Sequence, residues 1–574
     1  MVQDIYEPLN DYIHTYKDRF RQVAEKTFEQ LATEAGVDVA ANRNTCRKIY
    51  DSESELDDIE SSISSWTLFC VLFWVAVAAG IASVFLVKGI TTEAIVVVCS
   101  IVLLIFIFLL AKVHPKIKQL KEKRDGLEGE ILKFKEEAWA QMKPLNDLYD
   151  WDILARMMSE TVPRLEFDPY FTVQRLEDLK ATYGWDDSFN ERRSVIYSHS
   201  GLINGNPFVL CRTRKMEMGT QTYHGYKTIH WTTYEVGSDG KSHRVSHSQT
   251  LHATYTAPYP EYYEKTRLIY ANTAAPDLTF YRKQSDLAGR EKSLAFKRKE
   301  RQLRRKSRDL EDNDYAMLTN EVFEVAFDTS NRNNNQQYAM LFTPVAQESM
   351  LELLRDEQVG YGDDFDFIKD RMINTIVPDH LQSLDLELNP KVYINFDFNK
   401  AKENFIALNA RYFRAIYFSF APLLCVPMYQ QIRPQHDIYG RDMMRSSAFW
   451  EHEALANFWG QNHFRHPNCA TDCILKTVQN KGKDSSSITV YAYGYCAEPR
   501  VAYVGVFGGD GRFHNVPVEW YEYLPVTGTG TIQMKEDNHK EDSSVSHKQR
   551  LNRISEVLDA SGMNIYRRHI ASKV

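Results

Sequence analysis

The chain is poor in cysteine, lacks a basic excess and lacks the glycine-rich signatures of nucleotide chemistry. Eight cysteines in 574 residues, without dense paired spacing, argue against a disulfide scaffold and suit a reducing compartment. The net charge is −8 with a pI near 6.1, so the balance argues against nucleic acid as a partner. No Gly-x-Gly-x-x-Gly opens a strand–helix unit, and no kinase motif set or Gly-x-Ser-x-Gly elbow is present. Gly240-Lys241-Ser242 ends like a phosphate-binding loop, but position 235, where its first glycine belongs, is Glu. Residues 1–30 hold no early apolar core, so no signal peptide is read there and the N-terminus is expected to stay where it was made.

Aromatic residues make up 12% and charged residues 25%, which suits packed cores over disorder. The length leaves room for three or four domains of roughly 150 residues. Two uncharged apolar runs stand out, Trp66–Val87 and Ala94–Ala111, joined by Lys88–Glu93. Crossing ~30 Å of hydrocarbon takes about 20 helical residues, so the runs predict a transmembrane hairpin over 65–112. Lys112, Lys116, Lys118, Lys121, Lys123 and Arg124 follow the second run, and the connector holds only Lys88. The positive-inside rule then predicts a multi-pass cell-membrane protein with two spans and both termini cytoplasmic. The spans lack ionisable residues, so only a homo-oligomer could line a pore.

The expected fold class is α+β: the hairpin and a helical stalk, then two β-rich modules joined by a mixed segment. A helical arm covers 1–64. Residues 113–150 form a second helix whose Ile117, Leu120, Leu127, Ile131, Phe134 and Ala138 fit a coiled-coil seam, and the two arms are expected to pair. Period-two patterning marks a first β module over 151–283 and a second over 467–533. Gly237-Ser-Asp-Gly-Lys-Ser-His-Arg-Val245 and Gly508-Gly-Asp-Gly-Arg-Phe-His-Asn-Val516 share the pattern G-x-D-G-[K/R]-x-H-x-V. Each is a hairpin turn between β-rich runs, and the pair reads either as a weak internal repeat or as convergent turn chemistry. Between the modules lie a basic helix over 284–312, a mixed α/β segment over 313–400 and a helical segment over 401–466. Strands are predicted at 322–328, 337–341 and 392–397. A linker and an amphipathic helix over 547–570 close the chain.

Two groups carry candidate chemistry. His463, His466, Cys469 and Cys473 are imidazoles and thiols of the kind that close a tetrahedral Zn²⁺ site, although His-x2-His-x2-Cys-x3-Cys matches no standard zinc module. His452-Glu453 does not begin a zincin motif, because position 456 is Ala. Asp363, Asp364, Asp366 and Asp370 lack the glycine and glutamate of a calcium loop and read as a solvated helix start. His230, His243, His247 and His252 spread over the first hairpin, with 252 on the opposite face from 243 and 247. The basic helix carries Lys297, Arg298, Lys299, Arg301, Arg304, Arg305 and Lys306 behind an apolar stripe of Phe296, Leu303 and Leu310. Beside a bilayer these seven cations would contact anionic lipid.

Phe323-Glu-Val-Ala-Phe-Asp328, followed by Gln337-Tyr-Ala-Met-Leu-Phe-Thr-Pro344 and a Leu/Met-rich helix, resembles the closing unit of a family of uncharacterised bacterial membrane proteins. That family, of the Firmicutes and mycoplasma type, is classed only as a domain of unknown function. The resemblance covers roughly residues 1–400 and implies a charged helix, two transmembrane helices, a basic stretch and a β-rich domain, without a catalytic signature. The functional expectation is therefore a membrane-tethered scaffold or binding protein that is not an enzyme, with a cytoplasmic protein partner and anionic lipid contact. The alternative is a zinc-dependent hydrolase with its site at 452–473.

Overall fold

The computed structural model describes residues 4–86, 97, 100, 101, 103, 104, 106–236, 238, 240–309, 315–432, 446–481, 486–537 and 547–574. The chain divides into two compact units: Met1–Ala24 with Asp150–Asn389 and Asn409–Val574, and Glu25–Tyr149 with Pro390–Leu408.

The smaller unit is built on two long helices, Val39–Leu86 and His114–Asn146. Cys46 and Ile49 pack on Ala138, flanked by Tyr50, Phe134 and Phe396. The Asn42 amide donates to the Phe396 carbonyl and accepts from the Phe398 N–H (2.9 and 3.0 Å), fastening residues 390–408 to this pair. Lys135–Glu53 and Lys123–Glu55 link the helices at 2.7 and 2.5 Å, but they are largely exposed and add little stability.

The larger unit carries two antiparallel sheets. The first runs β1-β2-β3-β4-β7-β6-β5, with β1 Leu165–Phe167, β2 Arg193–Ile203, β3 Asn206–Val236, β4 Ser242–Ala271, β5 Thr279–Arg282, β6 Phe365–Asp370 and β7 Ile373–Pro378. The second runs β11-β12-β10-β9-β8, with β8 Ile474–Lys481, β9 Ser486–Phe507, β10 Phe513–Glu536, β11 Ile565–Arg567 and β12 Ile570–Lys573.

Two hairpins outrun their sheets. β2 pairs with β3 no further than Lys215, and β7 pairs with β4 only over Leu268–Ala271, so the stretch between is a two-stranded ribbon. Likewise β8 reaches β9 only as far as Tyr493 and β12 covers only Gln533–Glu536 of β10. An isolated ribbon is marginal in water. These two bury one face each against the other: Ile229, Leu251 and Ala253 meet Val516 and Val518, bordered by Tyr223, Trp231, Tyr255, Val504 and Val506. Helix Phe449–Trp459 is buried along its length and packs on the Val195 and Leu475 regions of the two sheets.

The transmembrane hairpin is corrected. Among the described residues no helix is long and apolar enough to cross a membrane. The first apolar run continues the 48-residue helix Val39–Leu86, whose opening half carries Arg43, Arg47, Lys48, Asp51, Glu53, Glu55, Asp57, Asp58 and Glu60. The connector and residues 94–96, 98, 99, 102 and 105 of the second run lie outside the described residues. The fold is α+β without that hairpin. The two-span placement and the sidedness of the termini rested on it and fall with it.

Of three expected strands, two are helical and the third, 392–397, does not form. Glu321–Phe327 and Asn335–Leu341 are helices capped by Asn320 and Asn334, whose side chains accept from the N–H groups of Phe323 and Gln337. Pro390–Tyr393 is a single 3₁₀ turn. A seven-residue apolar run is too short to show a readable period, and the asparagine cap decides it. The last helix, His547–Ser561, stops before 570. Gly562 takes left-handed backbone (φ 62°), the Met563 N–H returns to the Leu558 carbonyl, and β11–β12 follows.

Candidate ligand cavity at the C-terminal turn

The β11–β12 hairpin turns through two residues, Arg568 and His569, because Arg567 pairs directly with Ile570. Both have positive φ, 42° and 60°. That is the backbone of a tight turn normally filled by Asn-Gly, and the β2–β3 turn uses that pair at Asn204-Gly205 (φ 52° and 77°). Left-handed backbone at a non-glycine residue costs on the order of 1–3 kcal/mol. Arg568 and His569 are also only 5% and 4% exposed, so this strained turn is pressed inward.

Neighbouring elements hold it there. Arg567, fully buried, makes a bidentate pair with Glu387 (2.5 and 2.8 Å) and meets Glu451 at 3.3 Å. Glu387 is held below the usual carboxylate range, because Arg567 outweighs the burial that opposes ionisation. Arg568 donates to the Ser198 carbonyl at 2.5 Å and lies 4.4 Å over the Tyr197 ring. Burial works against its charge, but Tyr197, Glu387 and Glu451 overcome it and keep the guanidinium ionised. His569 Nε2 meets the Asp152 carboxylate at 3.0 Å. That contact outweighs burial and keeps Asp152 anionic.

The turn faces a cavity of about 370 Å³ lined by Asp152, Arg156, Ser159, Glu166, Phe167, Asp168, His199 and His569. A smaller inner compartment shares Ala155, Phe167 and His199 with it and is walled by Trp151, Leu154, Met158, Leu386, Ile416 and Arg568. Helix Ile153–Thr161 supplies one wall. Asp150 anchors its start by accepting from the Asp152 N–H and gripping Arg156 at 3.0 and 3.1 Å. Asp168 is fixed by buried Arg175 (3.0 and 3.1 Å) and by the Ser200 hydroxyl (2.7 Å). His199, on β2, stacks near Phe167 with ring centroids 4.7 Å apart. Burial, followed by the Arg568 charge, pushes its pKa well below the ordinary histidine value, so the ring stays neutral. The site thus combines a buried cation, a neutral imidazole, an Asp–His pair and an apolar inner wall.

The residues expected to bind zinc do not converge. His463 is exposed, with its ring edge-on to Trp459, and His466 accepts from the Asn468 N–H at 3.2 Å. Cys469 and Cys473 lie side by side with sulfurs 3.6 Å apart, buried in the core under the second sheet. Burial pushes the Cys473 thiol up to about 12, which keeps it protonated. His452 is buried against the Ser447 hydroxyl (2.9 Å), which also bonds Glu536 at 2.5 Å. The acid therefore sits on the hydroxyl, not on the imidazole, unlike a catalytic triad. Among the described residues, no group of three or more His, Cys, Asp or Glu side chains is placed to hold a metal ion.

Helix Leu294–Arg308 docks through Phe296 and Leu303 onto Tyr315 and Val325. Lys299 pairs with Asp328 at 2.5 Å, Arg304 with Glu300 at 2.7 Å, and Lys306 donates to the Ser330 carbonyl at 2.7 Å. Lys297, Arg298, Arg301 and Arg305 are exposed, so the seven cations divide between internal pairing and solvent.

The sequence reading missed Arg568, His569, Asp152 and His199. One signal was legible: Gly562 just past a helical pattern marks a stop, which frees the last twelve residues for another structure. No family model, no curated protein and no solved structure matches this chain.

Proposed function

We propose that this is a binding protein for a small organic anion that carries an apolar group, taken up in the cavity beside Arg568. The observation that carries this reading is the left-handed, inward-pressed turn at Arg568 and His569. Strained backbone at two charged-type residues persists only where the surrounding structure holds it, and such strain clusters at ligand sites. Among the described residues no carboxylate pairs directly with Arg568 as Glu387 does with Arg567; Glu387 and Glu451 act on it through space, and it is buried beside an apolar wall. A carboxylate or phosphate head directed toward the compartment of about 30 Å³ beside it would add a counter-charge there, while the 370 Å³ cavity takes the apolar group against Ala155 and Phe167. His199, a neutral donor or acceptor, and the Asp152–His569 pair then select the polar substituents.

The test is thermal unfolding and calorimetry with straight-chain carboxylates from butyrate to decanoate, each beside its neutral amide. At least one acid is expected to raise Tm and to bind at least tenfold more tightly than its amide. Arg568→Met is expected to remove that preference, since a hydrogen bond to a charged group contributes about 1.5–3 kcal/mol. Equal affinity for acids and amides, no binding of any acid, or an unchanged preference in Arg568→Met would reject the reading.

A further inference from the structure

The first ribbon alternates cleanly. Gly225, Ile229, Leu251 and Ala253 face the second ribbon, while His224, Tyr226, His252 and Thr254 face solvent. The register pairs Tyr226 with His252 and His224 with Thr254, so the two histidines are diagonal neighbours on one outer face. Their rings lie nearly parallel, 13° apart, and His224 Nδ1 stands 2.9 Å from His252 Nε2. Threonine pairs brace this spot on both sides: Thr222 with Thr256 at 3.2 Å and Thr228 with Thr250 at 3.1 Å. Tyr226 flanks the His252 ring with centroids 4.9 Å apart.

We propose that His224 and His252 form a cis bis-imidazole site for divalent copper on the outer face of the ribbon. Imidazole nitrogen binds such metals at about 2.0 Å, and two nitrogens 2.9 Å apart then subtend about 90° at a shared ion. That is the cis angle of a tetragonal Cu²⁺ site. A tetrahedral Zn²⁺ site needs a separation nearer 3.3 Å, so the spacing and the Irving–Williams order both favour copper. Without metal, one ring donates an N–H to the other's lone pair. On binding, the donor shifts that proton to its other nitrogen, both rings turn on their side-chain torsions until their lone pairs converge on the ion, both stay neutral, and water completes the coordination. The backbone ladder on either side fixes both Cα positions, so little ordering is left for the metal to impose.

The experiment titrates the full-length chain with CuSO₄ in a non-coordinating buffer, followed by calorimetry and electron paramagnetic resonance. One tight site with an axial spectrum and splitting from two nitrogens is expected. H224A/H252A should weaken that site by tenfold or more without changing Tm, because both side chains are exposed. H230A/H243A removes two other histidines of the same ribbon and should leave the site intact. Unchanged affinity and stoichiometry in H224A/H252A, or a one-nitrogen spectrum in the native chain, would overturn the assignment.

Discussion

A methyl group at Gly225 would stand 2.2 Å from the Pro517 carbonyl oxygen, closer than any stable contact. The two ribbons can approach there only because the side chain is missing. Gly225→Ala must push backbone away from backbone, and overpacking of that kind costs about 1–3 kcal/mol. Denaturant unfolding should register that loss. Emission from Trp231, at the ribbon contact, and from Trp520, which packs on Tyr255, should move to the red as the inner face opens. A loss under ~0.5 kcal/mol with unshifted emission would contradict the contact. The Arg568-His569 turn obeys the opposite logic, with side chains present where the backbone prefers their absence. Replacing the pair with Asn-Gly (R568N/H569G) restores the preferred turn chemistry. Amide-exchange protection across β11 and β12 should survive in that variant while the response to organic acids disappears. Loss of the hairpin itself would mean that the two side chains serve folding rather than binding.

Helix Leu294–Arg308 separates what a pattern reveals from what it leaves open. The seven-residue spacing of Phe296 and Leu303 was readable, and the structure buries both. Leu303→Ala should therefore cost about 2–5 kcal/mol, whereas Arg298→Ala, Arg301→Ala and Arg305→Ala should each stay within ~0.5 kcal/mol, measured by urea unfolding. Comparable losses across all four would show that the cations are structural. The two ribbons were legible as hairpins because alternation and glycine-rich turns are local signals. Their equal five-residue connections, 237–241 and 508–512, keep Gly240 and Gly511 both left-handed at φ 71° and 79°. That the ribbons pack on each other was not legible, since nothing local joins Ile229 to Val516. The helices at 321–327 and 335–341 were misread because each is only seven residues long, too short for its apolar residues to show a period. The cavity was out of reach for a further reason: its residues come from a helix, β1, β2 and the last hairpin, and its key turn lacks the glycine that announces such turns.

At the scale of the whole molecule, the helix between the two sheets couples folding to pH through adjacent residues with opposite signs. Burial lowers His452 from 6.5 to about 4. The unfolded chain takes up a proton that the folded chain refuses, so this stabilisation is complete above about pH 6.5 and is lost as pH falls toward 4. Burial raises Glu453 from 4.5 to about 7, against the pull of Lys476. Here the folded chain keeps a proton that the unfolded chain releases, so the stabilisation is complete below about pH 4.5 and is lost as pH rises through 7. Each shift corresponds to roughly 3 kcal/mol, and between pH 4.5 and 6.5 the two slopes oppose each other. His452→Asn leaves the Glu453 slope unopposed: relative to the native chain, stability falls as pH rises from 4 to 6.5. Glu453→Gln leaves the His452 slope unopposed, a relative gain as pH rises from 4.5 to 7. Unfolding free energies from pH 4 to 8 measure both differences. His199 is unaltered in either variant, so its own contribution cancels in each comparison with the native chain. Parallel pH profiles for all three proteins would mean that the helix opens to water before it titrates.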